Sequence, residues 1–195
     1  MNLIQPFSQS PTVKAINAQS PKVPSTGVCF RASFEWISSM ARGTPWLANV
    51  METHERHQDY KAEPNKHIGG QYIAWVQVAH ACDEKFIDEW GKPKGIMCVA
   101  ERQDSSAYLA TRLGGRLGAA FVTCFYGQKV DGSKWGHAVA FWSDGKNPKF
   151  FDANTGIWSF NNGEDPGPAI DSYVRLKYVG ADRSINDQWV YEILV

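Results

Sequence analysis

The chain has 195 residues, 43% of them hydrophobic, which suffices for one domain with a sizeable core or one domain plus a short arm. Its 20 basic and 20 acidic residues cancel, so no global field directs it to nucleic acid or to an anionic membrane. No apolar stretch reaches the roughly 20 residues that span a bilayer, and the N-terminus lacks the basic region and apolar run of a classical secretory signal.

Eight tryptophans point to a well-filled core. The four cysteines, Cys29, Cys82, Cys98 and Cys124, contain no C-x-x-C pair. Cys82 and Cys124 sit in apolar periodic segments, where free cysteine acts as a small buried hydrophobe. Reduced thiols in a cytosol-like compartment are expected.

Residues 1–24 are rich in Pro, Ser, Gln and Asn and show no period, so they read as a flexible or strap-like N-terminal arm ahead of a domain over 25–195. From Cys29, Phe30, Phe34, Ile37 and Met40 recur at three- and four-residue steps until Gly43, which predicts an amphipathic helix of three to four turns. Thr44-Pro45 reads as the cap and first turn of a second helix reaching Lys61, and a third runs from Lys66 to Trp90 before Gly91-Lys92-Pro93 stops it. The period then changes. Ile96 to Val99 predicts a short strand, and Ser105 to Leu113 a helix. Ala119 to Tyr126, Trp135 to Trp142 and Lys149 to Phe151 predict successive strands separated by Gly- and Asp-rich turns. A helix from Pro168 to Leu176 and a strand from Trp189 to Leu194 close the chain. Helices first and an antiparallel meander later is an α+β order.

Chemistry concentrates at three places. Cys29 opens a helix, where orphan N–H groups favour the thiolate over the thiol. His137 lies inside a strand between Gly136 and Ala138, small neighbours that leave room for a substrate backbone. Asp152 ends the next strand and is within reach of a histidine on its neighbour. In that order they can serve as nucleophile, base and orienting carboxylate. Each also has a structural reading: a buried helix cysteine, a satisfied strand histidine, and an aspartate of an Asp-x-Asn turn.

Gly-Val-Cys-Phe-x-x-Ser-x-x-Trp-Ile from Gly27, Gly-His-Ala-x-Ala from Gly136, and Phe-Phe-Asp-x-Asn-x-Gly from Phe150 resemble the motifs of the YopT/AvrPphB-type papain-like cysteine proteases. The resemblance covers about residues 25–160 and lies in those three motifs. It implies a papain-like fold, with an N-terminal helical half packed on a C-terminal antiparallel sheet. It implies Cys29 as nucleophile, His137 as general base and then acid, and Asp152 as the orienting residue. It further implies a bacterial effector or toxin acting on a protein substrate, delivered by a non-classical secretion route into the host cytosol. A monomer without cofactor or metal is expected.

One departure stands out. Papain-like enzymes carry an oxyanion-stabilising amide a few residues before the cysteine, whereas Lys22 to Thr26 contain no Asn or Gln. The Cys29 N–H is one donor; Gln19, Ser25, Thr26 and the backbone around Gly136 are the candidates for substrate and oxyanion contacts. His54-Glu55-Arg56-His57, with His67 or His80, lacks the spacing of a His-Glu-x-x-His zinc helix and reads as a solvated face. Arg112 to Gly118 is glycine-rich without the Lys-Ser/Thr of a phosphate loop. A protease, a glutamine deamidase or transglutaminase, a peptidoglycan amidase and a binding module on a degenerate scaffold all remain open to this sequence.

Overall fold

The computed structural model of the chain describes residues 1–19, 28–44, 46, 97–103 and 119–194. Among these, an α+β architecture is built on a seven-stranded antiparallel sheet in the order β1-β6-β5-β4-β3-β7-β2. The strands are β1 (Asn2–Pro6), β2 (Met97–Gln103), β3 (Ala120–Lys129), β4 (Lys134–Trp142), β5 (Lys149–Asp152), β6 (Gly156–Ser159) and β7 (Arg183–Leu194). The helices are α1 (Ser10–Gln19), α2 (Cys29–Arg42) and α3 (Pro166–Tyr178).

The central strands are apolar on both sides because both faces are covered. Along β3, Val122 and Cys124 join the core shared with α2, while Phe121 and Phe125 join the core shared with α3. The α2 core gathers Phe30, Phe34, Trp36 and Ile37 against Ala138, Ala140 and Phe151. Trp36 stacks on Phe151, with ring centroids 5.5 Å apart and planes 18° from parallel. The α3 core sets Ile170, Val174 and Tyr178 against Val139, Phe141 and Phe150.

The helix expected from Cys29 ends as its sequence prescribes. Gly43 takes the left-handed conformation at φ 63°, and its N–H returns to the Met40 carbonyl. At the start of α3, the Asp165 carboxylate accepts from the Gly167 N–H, and proline occupies the first turn. The β3–β4 turn at Asp131-Gly132-Ser133 and the β4–β5 turn at Asp144 to Pro148 fall where the Gly and Asp clusters stand. The expected helices over 44–61, 66–90 and 105–113, with His54, His57, His67, His80, Cys82 and the 112–118 segment, lie outside the described residues, Thr44 and Trp46 apart.

Two boundaries and one segment differ from expectation. β2 extends to Gln103, and β7 begins at Arg183, six residues before the apolar run at Trp189. Residues 1–19, expected as part of a flexible or strap-like arm, hold a strand and a helix. β1 pairs with β6 at the sheet edge, α1 follows, and Phe7 packs edge-on to Trp46 at 5.5 Å and against Phe151 at 5.8 Å. A largely exposed edge strand and a four-residue strand carry little apolar period, which is why β1 and β6 escape a periodicity reading. Among the described residues no helix is long and apolar enough to cross a membrane.

Candidate active site

Cys29 is the first helical residue of α2, and no side chain caps this helix end. Its sulfur therefore sits among backbone N–H groups that have no intrahelical partner. Its helix core side is fixed by Phe30, whose ring packs edge-on to Phe34 at 4.8 Å and to Tyr191 at 6.0 Å.

The sheet register brings the other two groups to it. Val139 on β4 lies opposite Asp152, the last residue of β5, so His137, two residues along β4, lies past the end of that neighbour. His137 and Asp152 share one face of the sheet. His137 Nε2 bonds Asp152 Oδ1 at 2.8 Å, and both residues are buried. The other ring nitrogen, Nδ1, is left for the hydrogen bond that links His137 to Cys29.

The charges in this row support one another. Burial pushes the Cys29 thiol up, but the facing His137 charge, the His137 hydrogen bond and bonds from the backbone of Ala138 and Phe30 outweigh it, and the net shift is downward. Burial lowers the His137 imidazolium, yet the Cys29 thiolate and the Asp152 hydrogen bond raise it well above the ordinary imidazole value. For Asp152 burial works against the charged form, and the His137 bond and charge, with two phenols, bring its carboxyl down to about 2. These shifts favour thiolate, imidazolium and carboxylate in a row.

Asp152 has no exposed surface and four hydrogen bonds. Oδ1 accepts from His137 and from the Asn154 N–H at 2.8 Å, which closes the Asp-x-Asn turn. Oδ2 accepts from Tyr173 and from Tyr178 of α3, each at 2.6 Å. The Asp152 reading as a turn former is thus satisfied by the same residue that holds His137.

The remaining candidates divide. Gly136 is exposed beside His137 and faces Tyr126 across β3–β4; a Cβ there would come within 3.2 Å of the Tyr126 ring. Gln19 is the last residue of α1, its side chain outside the described residues, as are Ser25 and Thr26.

A carboxamide from farther upstream lies against the residue before Cys29. Gln9, buried to 9% exposure, accepts the Val28 N–H on Oε1 at 2.6 Å and donates from Nε2 to Asn154 Oδ1 at 2.7 Å. Its own N–H bonds the Ala153 carbonyl at 2.7 Å. Gln9 therefore spans the residue before Cys29 and the two residues after Asp152. Sequence reading misses it because Gln9 lies 20 residues before Cys29, in a segment without period. Tyr173 and Tyr178 are missed too: they lie five apart on α3, and only the fold shows that both meet one carboxylate.

Cys29 and Cys124 are buried, and neither is in a disulfide. Among the described residues no group of three or more His, Cys, Asp or Glu side chains is arranged to hold a metal.

No protein-family model matches the chain, and no curated protein matches it. Among solved structures the chain is similar to the Pseudomonas avirulence protein AvrPphB, with a TM-score of 0.46 and 14% sequence identity over 93% of this chain and 95% of that one. A likeness of that extent carries none of the functional reading, which rests on the residues around Cys29.

Proposed function

We propose that the chain is a thiol-dependent acyl-transfer enzyme of papain-like fold, acting as a cysteine protease through Cys29, His137 and Asp152. The observation that carries this reading is the continuous contact from Cys29 through His137 to Asp152, buried, with the thiol lowered and the imidazole raised.

The Cys29 thiolate attacks a carbonyl carbon, and the electron pair moves onto the carbonyl oxygen. The Cys29 backbone N–H is one donor to that oxyanion. The Gln9 carboxamide is the second: it is tied to the neighbouring Val28 N–H and carries two Nε2 protons, one of which goes to Asn154. His137 gives its Nδ1 proton to the departing amine, leaving a Cys29 thioester. Neutral His137 then takes a proton from water, the resulting hydroxide attacks the thioester, and the carboxylic acid and the thiolate–imidazolium pair are released and restored. Asp152 stays ionised and holds the ring throughout.

The same thioester formed on a glutamine side chain gives a deamidase, or a transglutaminase when an amine replaces water. Incubating a denatured mixture of cellular proteins with the wild-type chain and with Cys29→Ala, followed by peptide mass spectrometry, decides among them. New peptide termini that need Cys29 support proteolysis. A gain of about one dalton on glutamine, or an amine adduct, moves the reading to the runner-up enzymes. No Cys29-dependent change in any substrate favours a binding module. Delivery of a monomeric effector into a host cell, implied by the motif resemblance, is part of this proposal; a reporter fused to the chain and followed into host cytosol tests it.

A further inference from the structure

The α3 helix does more than cover the sheet. Its two tyrosines converge on one oxygen atom, Asp152 Oδ2, both at 2.6 Å. Each phenol is itself held from behind. The Asn154 side-chain N–H reaches the Tyr178 oxygen at 3.1 Å, and Thr155 Oγ1 lies 2.6 Å from the Tyr173 oxygen. The rings are also pinned. Tyr178 lies 4.5 Å from the His137 ring and 6.3 Å from Trp135, and Tyr173 packs edge-on to Phe150 at 5.1 Å and Trp158 at 5.3 Å.

A carboxylate with both acceptor positions of one oxygen occupied is less basic than one with that oxygen open. It is also fixed in orientation, because rotating it would break two short hydrogen bonds inside a buried site. The groups that meet Asp152 are His137, Tyr173, Tyr178 and the Asn154 N–H; those that meet His137 are Cys29, Asp152 and the Tyr178 ring. Within this set the Asn154 N–H and the two phenols draw charge away from His137, and the phenols are the side-chain donors among them.

We infer that Tyr173 and Tyr178 are positioning residues that clamp Asp152 Oδ2, aim Oδ1 at His137, and hold the imidazolium weak enough to give up its proton to the leaving group. The inference rests on the acyl-transfer reading of Cys29 and His137. Neither tyrosine touches the reacting atoms. Both phenols are pushed above the ordinary tyrosine value, by burial first and then by the Asp152 charge, so they remain donors across the working range.

The test is Tyr173→Phe, Tyr178→Phe and the double variant, which keep both rings and remove only the hydroxyls. Two profiles are recorded for each: the His137 imidazole titration by nuclear magnetic resonance, and the pH dependence of iodoacetamide alkylation at Cys29 by peptide mass spectrometry. The His137 inflection is expected to rise by about half a unit in each single variant and by more in the double variant. The upper inflection of the Cys29 profile should move with it. Near-ultraviolet circular dichroism reports folding separately. A merely structural role lowers melting temperature and leaves both inflections in place, which overturns the inference, as does a downward shift. If wild-type Cys29 shows no thiolate reactivity below the ordinary thiol range, the acyl-transfer reading itself fails, an outcome distinct from unmoved inflections in the variants.

Discussion

His137 Nε2 and Asp152 Oδ1 lie 2.8 Å apart with neither side chain appreciably open to solvent. That bond fixes which imidazole nitrogen is free for Cys29, and so turns a strand position into a chemical role. Asp152→Asn keeps the shape but presents an amide. With its oxygen held by the two phenols, the amide N–H faces His137 Nε2, which must then become an acceptor and cannot carry the imidazolium proton. Alkylation of Cys29 at pH 6 should fall by about tenfold or more. An unchanged rate would remove Asp152 from the site.

Gln9 separates two steps. Alkylation by iodoacetamide develops no oxyanion, whereas acylation does. Gln9→Ala should leave Cys29 alkylation within about twofold while slowing acylation by an activated ester such as p-nitrophenyl acetate by roughly 10- to 100-fold. The variant also leaves the buried Val28 N–H without its partner, at a cost of about 1–3 kcal/mol in chemical denaturation. Equal losses in both reactions would mean that Gln9 only holds the backbone.

Gly156 tests whether the N-terminal segment is an integral part of the domain. It sits at φ 125°, and a Cβ there would collide with the Gln5 carbonyl and come within 2.8 Å of the Phe7 nitrogen. Gly156→Ala should cost about 2–4 kcal/mol, measured by urea denaturation, and slow ester acylation through the displacement of Gln9. A cost below about 0.5 kcal/mol would show that β1 is not anchored as described.

The buried ion pair also leaves a mark on stability against pH. His137 is raised in the folded chain, so its contribution is fully present below the unfolded histidine value of about 6.5 and is lost as pH climbs through the folded value. Cys29 is lowered, so its contribution is present above the unfolded thiol value of about 8.5 and is lost as pH falls through the folded one. Between about 6.5 and 8.5 both states hold one proton on this pair, and stability is flat. Below about 6.5 the unfolded chain binds a second proton and the wild type loses stability. Cys29→Ala removes that acid slope, because its folded and unfolded states each carry one proton on histidine there. Parallel slopes for the two proteins between pH 5 and 6.5 would contradict a thiolate at Cys29.

Much of this site is legible in the sequence for a physical reason. Cys29, His137 and Asp152 stand at ends or centres of strongly periodic elements, and the expected α2, β3, β4, β5 and α3 match the observed ones closely. Period reports burial on one side or both, so it finds elements that carry the core. It is silent on β1, the edge strand, and on its four-residue neighbour β6, short strands whose stabilisation is mostly backbone pairing. It is equally silent on Gln9, whose two side-chain bonds span long separations, to Val28 and to Asn154. The tyrosine pair is hidden differently. Tyr173 and Tyr178 pack in the core under α3, the second of them beyond the expected end of that helix at Leu176, and their hydroxyls acquire a target only once α3 meets the end of β5.

The most direct measurement is the second-order rate of iodoacetamide reaction at each cysteine as a function of pH, resolved by peptide mass spectrometry. A thiolate stabilised by His137 predicts that Cys29 reacts at pH 5.5 at least about tenfold faster than Cys82, Cys98 and Cys124. It also predicts that His137→Ala abolishes this advantage while the chain stays folded. Cys29 reacting at pH 5.5 no faster than the other three would contradict an activated nucleophile at the start of α2.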